Sequence, residues 1–420
     1  MSAGTADAAA RMNWPGAPIA VVGIGADGWG ELGTAARDAI AGCQVLMGSA
    51  RQLTLVPDDV TATRISWPSP LLPALPDLLR EHADAQICVL ASGDPMFYGI
   101  GVTLASLVGA QTLRVFPQPS SASLACARLG WPLAEIPVVS AVGRSPANLL
   151  PELTDRRRIL VLSADAATPA VIADLLSRNG FGASTMTVLE QLGGSAERLV
   201  TATASEWESA RIDPLNIVAI EAVADATSTR ATRLPGLPDT LFGDDGQLTK
   251  SEVRALTLSA LAPAPDELLW DVGGGSGSIA IEWCRTHPTC RAVSFERVER
   301  RRQRIAENAV ALGATRIEVR GEVRGALDGS VGPDPDAIFL GGGLTQDGVF
   351  ETCWSHLRQG GRLVANAVTA ESEAMLLGLV AAHGGELRKF QVYRAEPLGG
   401  FTAWRPQLPV VQWTVVKGAD

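Results

Sequence analysis

Leu269-Trp-Asp271-Val-Gly273-Gly274-Gly275-Ser-Gly277-Ser-Ile-Ala-Ile-Glu-Trp283 is an apolar run that breaks at glycines and resumes with helical spacing. It reads as a buried strand, a tight turn and the first turns of a helix. In such a turn the backbone lets a ligand come close and the helix N-terminus offers free N–H groups. The third spaced glycine follows the second by two residues, not by the three of a GxGxxG dinucleotide turn. An acid, Glu296, ends the next apolar run 23 residues beyond Gly273. There it is placed to accept from two ribose hydroxyls.

Outward from this turn the chain alternates strand and helix. After Leu268–Val272 and a helix at Gly277–Arg285 come strand Arg291–Phe295, helix Arg297–Leu312 and strands Ile317–Arg320 and Ala337–Leu340. Helix Asp347–Leu357, strand Arg362–Asn366 and helix Ala370–His383 follow. Two last strands, near Leu387–Arg394 and Val410–Val416, have no helix between them, which predicts a closing β-hairpin. Upstream, Thr227–Gln247 is rich in Thr, Pro, Gly and Asp and reads as a linker. Before it lies a second α/β pattern with no repeat relation to the first. Its apolar runs Pro18–Ile24, Ile87–Ala91, Ile159–Ser163, Thr187–Glu190 and Asn216–Ala222 read as buried parallel strands. Helices are expected at Leu32–Ala41, Gly99–Leu107, Ser121–Arg128 and Pro169–Arg178. The fold class is therefore α/β in two domains, 15–230 and 238–420.

Composition agrees. The chain has 420 residues, 46% hydrophobic and 19% charged, with net charge −10, which is too long for one core and too apolar for disorder. No apolar run approaches a membrane span and the N-terminus lacks signal-peptide polarity, so a cytoplasmic protein is expected. The dense basic run Arg297, Arg300, Arg301, Arg302 and Arg304 is interleaved with Glu296, Glu299 and Glu307. It reads as a solvated helix face, and no nucleic-acid partner is expected. Six dispersed cysteines without a CxxC pair read as buried thiols. Four scattered histidines give no metal-site spacing.

A second glycine turn, Gly23-Ile-Gly25-Ala-Asp-Gly28, matches GxGxxG literally. The window where a ribose-holding acid belongs, Cys43–Gln52, contains no acid, so a nicotinamide site there is disfavoured.

Asp-x-Gly-x-Gly-x-Gly with a later acid resembles the S-adenosylmethionine (SAM) site of class I methyltransferases, whose fold ends in a reversed hairpin. The resemblance sharpens along the chain. Phe242-Gly-Asp-Asp-Gly-Gln-Leu-Thr-Lys250, the 269–283 stretch, Phe339-Leu-Gly-Gly-Gly343 and Gly360-Gly-Arg-Leu-Val-Ala-Asn-Ala-Val368 resemble the decarboxylating precorrin-6Y C5,15-methyltransferase family of aerobic cobalamin synthesis. The first half resembles its partner domain, a class III tetrapyrrole methylase. The matching pieces are Val22-Gly-Ile-Gly25, Ala91-Ser-Gly-Asp-Pro-Met-Phe-Tyr-Gly-Ile-Gly101, Pro119-Ser-Ser-Ala-Ser-Leu-Ala-Cys-Ala-Arg-Leu-Gly130, Glu190-Gln-Leu-Gly-Gly-Ser-Ala-Glu197 and Leu215-Asn-Ile-Val-Ala-Ile-Glu221. The family often has His before Gly143-Arg144 and before Asp245, where this chain has Val142 and Asp244; neither is assigned a catalytic role.

The resemblance implies a tetrapyrrole methylase-like domain fused to a Rossmann-like class I methyltransferase domain, each holding one SAM. The first would methylate carbon 5 of a precorrin. The second would methylate carbon 15 and remove carbon dioxide from the ring C acetate, giving precorrin-8. Relatives of both domains form oligomers, so a homo-oligomer is expected. In the second domain Gly273, Gly275 and Gly277 would shape the SAM pocket, with Glu296 on the ribose. Asp271 would orient the loop or the amino-acid end, and Gly321 and Glu322 would flank the adenine. Gln247, Thr249 and Lys250 precede a helix, where Thr249 is either an N-cap or a site residue. Gly341 and Gly342 end a strand at the ligand-binding edge of the sheet and would border the cofactor, and Asn366 ends the next strand, where substrate would lie. In the first domain Gly23, Gly25, Gly93, Asp94, Ser120 and Ser121 would form the SAM cleft, with Asp94 open to the plainer reading of an Asp-Pro turn. Lys250, Arg144 and Arg254 are candidate clamps for a polycarboxylate. Two rivals stand: a nicotinamide-dependent oxidoreductase, and a non-catalytic SAM- or tetrapyrrole-binding protein.

Overall fold

The computed structural model describes residues 12–208, 211–323 and 333–418. The chain divides into two compact units, residues 1–146 with 155–228, and residues 147–154 with 229–420.

In the first unit, β1 (Ile19–Ile24), α1 (Thr34–Ala41), β2 (Val45–Gly48), α2 (Ala50–Thr54) and β3 (Thr63–Ser66) are followed by α3 (Leu71–Glu81) and β4 (Ile87–Ser92). Then come α4 (Ile100–Val108), β5 (Leu113–Phe116) and α5 (Ser121–Leu129). Their sheet runs β3-β2-β4-β1-β5 and is parallel throughout. A second sheet holds β6 (Val138–Ser140), β7 (Arg158–Leu162), β8 (Thr185–Glu190), β9 (Arg198–Thr203) and β10 (Asn216–Glu221), with α6 (Thr168–Arg178) after β7. Its order is β6-β7-β10-β8-β9, and only β6 and β7 are parallel. The expectation of parallel strands is thus corrected for β8 and β10, while β7 is parallel to β6 and antiparallel to β10. These strands are nearly wholly buried, and an antiparallel strand covered on both faces has the same unbroken apolar signature as a parallel one.

In the second unit, α7 (Ser251–Leu261), β11 (Leu268–Val272), α8 (Ser278–Thr286), β12 (Arg291–Phe295), α9 (Glu299–Ala311) and β13 (Ile317–Arg320) precede β14 (Ala337–Leu340) and α10 (Val349–His356). There follow β15 (Arg362–Ala367), α11 (Ala370–His383), β16 (Glu386–Phe390), β17 (Tyr393–Leu398), β18 (Phe401–Pro406) and β19 (Val410–Val416). The seven-stranded sheet runs β13-β12-β11-β14-β15-β19-β16. Five strands are parallel, and β19 lies antiparallel between β15 and β16. This is the expected reversed hairpin, with one addition: β17 and β18 form a separate two-stranded ribbon between its arms. Trp270 and Trp413 are fully buried on one face of the sheet, Leu269 and Trp283 on the other.

The stretch expected as a linker is packed into this unit. Leu237, Phe242 and Leu248 are buried. The Glu282 carboxylate accepts from the N–H groups of Gly236 (2.6 Å) and Leu237 (3.0 Å). Its Pro, Gly and Asp content makes turns rather than slack. Residues 147–154 join the same unit through Asn148, which accepts from Thr315 (2.6 Å), and Glu152, which pairs with Arg233.

Candidate active site

The order of β11 and β14 sets the place of the site. The sequence leaves β11 on one side for β12 and returns on the other as β14, so a crevice opens at the carboxyl ends of these strands. A cavity of about 580 Å³ lies there. The turn after β11 supplies Gly273 to Ser276, the end of β12 supplies Glu296, and the turn after β14 supplies Gly341 to Gly343. Gly273 has φ +79°, and a Cβ there would lie 2.7 Å from the Gly342 nitrogen. The two glycine turns touch backbone to backbone, which no side chain at 273 would permit.

Two carboxylates sit beneath the turn. Glu296 is 5% exposed. It accepts from the N–H of Gly275 and from that of Val298, each at 2.9 Å. Both carboxylate oxygens keep further lone pairs for a ligand hydroxyl. Asp271 is 1% exposed, and burial pushes its carboxyl up to about 7, with the Glu296 charge adding to the rise. The N–H of Ala280 and the Ser294 hydroxyl partly offset this. Two buried acids beside the turn suit a ligand that carries a ribose and a cation.

The cavity continues past Gln247, Thr249 and Lys250 to Asn366 and an apolar end lined by Val368, Phe390, Val392, Leu408 and Val410. Asn366 donates to the Thr257 hydroxyl (2.8 Å) and accepts from Gln412 (3.0 Å). Thr257 and Gln412 are buried, so the amide is held in one orientation. Nothing in the local sequence marks these two partners. Glu322 lines the cavity and Gly321 does not.

Two expectations need correcting and one open alternative closes. Gly277, at φ +79°, faces α9, where a Cβ would come 2.8 Å from Ile305; it packs the turn and does not wall the cavity. Thr249 is not the N-cap of α7, a position held by Lys250 without a side-chain cap bond. Arg254 is fully buried, so it cannot clamp substrate. It donates to Glu282 (2.8 Å), to Asp239 (2.8 Å) and to the carbonyls of Leu237 and Thr249. Lys250 keeps 44% of its side chain exposed, 3.9 Å from Asp239, and remains a candidate. Asp244 caps its own turn by accepting from the Gly246 N–H (2.6 Å).

In the first unit Gly23, Gly93 and the chain entering α5 converge. A Cβ at Gly23 would lie 2.0 Å from the Gly93 carbonyl oxygen and 2.9 Å from the Gln118 nitrogen. Asp94 accepts from the Met96 N–H (2.8 Å) as an Asx turn. Ser120 is the N-cap of α5, accepting from the Ser123 N–H, and Ser121 is exposed beside it. A Cβ at Gly25 would meet Asp27 Oδ1 at 2.4 Å. Arg144 is exposed with its guanidinium 5.4 Å from the Tyr98 ring centroid.

The strand order and the acid-floored glycine turn of the second unit define a Rossmann-like methyltransferase. Comparison with known proteins agrees: residues 240–417 match the family described as precorrin methyltransferase domain, and residues 18–208 match the tetrapyrrole (corrin/porphyrin) methylases. Over its full length, the precorrin-6Y C(5,15)-methyltransferase [decarboxylating] of Mycobacterium tuberculosis is 49% identical, covering 95% of this chain. The protein of the same name from Sinorhizobium is 46% identical over 95% of this chain and 96% of its own. The chain belongs to the precorrin-6Y C5,15-methyltransferase (decarboxylating) family. A shorter relative, the cobalt-precorrin-6B C(15)-methyltransferase (decarboxylating) of Salmonella typhimurium, is 31% identical over 41% of this chain and 92% of its own.

Proposed function

We propose that the protein methylates a precorrin at carbons 5 and 15 from SAM and removes carbon dioxide from the ring C acetate, giving precorrin-8. The first unit, within 15–230, acts at carbon 5. The second, within 238–420, acts at carbon 15 and decarboxylates, each with its own SAM. The observation that carries this reading is the presence of two methyltransferase family signatures in one chain, one on each unit. The Salmonella relative, whose name joins carbon 15 methylation to decarboxylation in less than half this length, supports placing those two steps together.

In the second unit, the turn at Gly273 and Gly275, Asp271 and Glu296 would hold SAM, with Glu322 and Gln247 at its edges. Bound there, SAM supplies an electrophilic methyl group. The electron-rich ring carbon is the nucleophile, so the protein's part is position and dryness. The apolar end of the cavity, where Val368 and Leu408 stand exposed, would receive the apolar face of the macrocycle, whose binding would displace water there. Asn366, with its amide fixed, can hold one polar edge of the ring. Lys250 can pair with an acetate or propionate at the mouth. In the first unit Gly23, Gly25, Gly93, Asp94, Ser120 and Ser121 would frame the second SAM, with Arg144 as the carboxylate partner. Incubation of the full chain with SAM and a reduced precorrin-6 should give a product with two added methyl groups and one carbon dioxide lost. A product mass that shows neither change would reject the reading in favour of a binding protein.

A homo-oligomer in the cytoplasm belongs to the same reading. No helix among the described residues is long and apolar enough to cross a membrane. Phe401 and Trp404 on the ribbon are 82% and 73% exposed and would be available to a partner subunit in such an oligomer. Of the basic run on α9, Arg301 and Arg304 pair with Asp245, and Arg302 with Glu299 and two carbonyl oxygens.

Asp271 makes SAM binding pH-dependent. An unfolded Asp ionises near 3.8, whereas the buried one keeps its proton to about 7. Between these values the native state holds a proton the unfolded state lacks, so this group's contribution to stability declines as pH rises through that window. A sulfonium or ammonium nearby favours the ionised form. SAM affinity in the second unit should therefore rise as pH increases toward about 7 and level off above it, with proton release on binding below that value. Calorimetry in two buffers of different ionisation heat measures that release, and Asp271→Asn should abolish it.

A further inference from the structure

The glycine turn does not form the cavity alone; the strap of residues 243–250 supplies Gln247 to Lys250 as another part of its wall. Its end at Thr249 is held by Arg254 of α7, and its beginning is fastened by one face of α9. On α9, Arg301 Nε donates to Asp245 Oδ2 at 2.9 Å, and Arg304 Nη1 lies 3.6 Å from the same oxygen. Asn308 Oδ1 accepts from the Gly243 N–H, while its Nδ2 donates to the carbonyls of Gly243 and Ser276, all three at 2.9 Å. Positions 301, 304 and 308 recur at helical spacing and share a face. Ile305 lies on it too, directly under the glycine turn: a Cβ at Gly277 or Gly274 would come 2.8 or 3.1 Å from its side chain.

Asn308 is 6% exposed. Both its donors and its acceptor are spent on the backbones of the two segments that border the cavity. A planar amide bonded on both sides fixes the spacing between strap and turn, which a flexible or apolar side chain would not do. Arg301 also lines the cavity, so the clasp and the ligand wall share a residue.

We infer that Arg301, Arg304 and Asn308 are positioning residues: they clasp the 243–250 strap to the glycine turn and so set the affinity of the second unit for SAM. The inference rests on the reading of that cavity as a SAM site.

The test uses the full chain, with Glu296→Ala as the reference for the site itself. Asp245→Asn should raise the KM for SAM in carbon 15 methylation by about three- to fivefold, as for a partly exposed ion pair. Its kcat and melting temperature should change little, and Asp245→Glu should restore the KM. In about 1 M salt the wild type should approach the variant, because such pairs are screened. Asn308→Ala, which orphans three backbone groups, should raise that KM roughly tenfold or more. If these variants lower the melting temperature and kcat while leaving the KM for SAM untouched, the residues only hold the fold and the inference fails. If Glu296→Ala also leaves SAM affinity unchanged, the cavity is not a SAM site and the clasp falls with that reading.

Discussion

Gly275→Arg should abolish methylation at carbon 15 and hinder decarboxylation, whereas Gly25→Arg should leave a decarboxylated product lacking only the carbon 5 methyl. Gly275 sits at φ +59°, and a Cβ there points to the Gln247 carbonyl oxygen at 3.4 Å. Any longer side chain fills the gap between turn and strap. Its N–H also donates to Glu296, so displacing the turn moves the ribose acceptor as well. A misplacement of about 1 Å at a reacting pair costs on the order of a hundredfold, and the filled pocket should cost more. Gly25 belongs to the other unit, where a Cβ would press on Asp27 and leave the second cavity intact. The acetate must sit near carbon 15 when its carboxylate leaves, and burial without a full partner destabilises that charge. Mass spectrometry separates the outcomes, since losing carbon dioxide and gaining a methyl shift mass in opposite directions. A folded Gly25→Arg enzyme unable to decarboxylate would overturn the assignment, and so would a Gly275→Arg enzyme that makes the finished product.

How much of this was legible before the structure depends on how local each signal is. The turn from Asp271 to Gly275 and the acid at Glu296 were readable because strand, turn and helix follow one another within a few residues, and the sheet brings the next strand end alongside. The reversed terminal hairpin was readable for the same reason. Its inserted ribbon was not: β17 and β18 are largely exposed on both faces, so they carry no clean alternation. Strand direction in the first unit's second sheet was hidden because burial on both faces erases the difference. The roles of single polar residues were least accessible. Arg254 looked like a free cation because Glu282, which buries it, lies 28 residues away. Asn308 gave no signal at all, since its partners at Gly243 and Ser276 are joined only by the fold.

Arg254→Met should destabilise the second unit by about 3–5 kcal/mol, the loss expected when one partner of a buried ion pair is removed. The guanidinium is wholly enclosed and lies 4.6 Å from the Phe242 ring centroid. All of its work is internal: it holds Glu282 on α8, Asp239, and the carbonyls of Leu237 and Thr249. Removing it leaves Glu282 buried with the N–H groups of Gly236 and Leu237 and the more distant Arg285 charge to compensate it. At roughly 2–4 °C per kcal/mol for a domain of this size, the melting transition of that unit should fall by about 6–20 °C. The double variant Arg254→Met, Glu282→Gln should recover part of the loss, because it removes the stranded charge rather than the packing. A substrate clamp would behave oppositely: Arg254→Met would then keep its melting temperature and raise only the KM for the precorrin. Calorimetric scanning beside steady-state kinetics distinguishes the two, and an unchanged transition would return Arg254 to the active site.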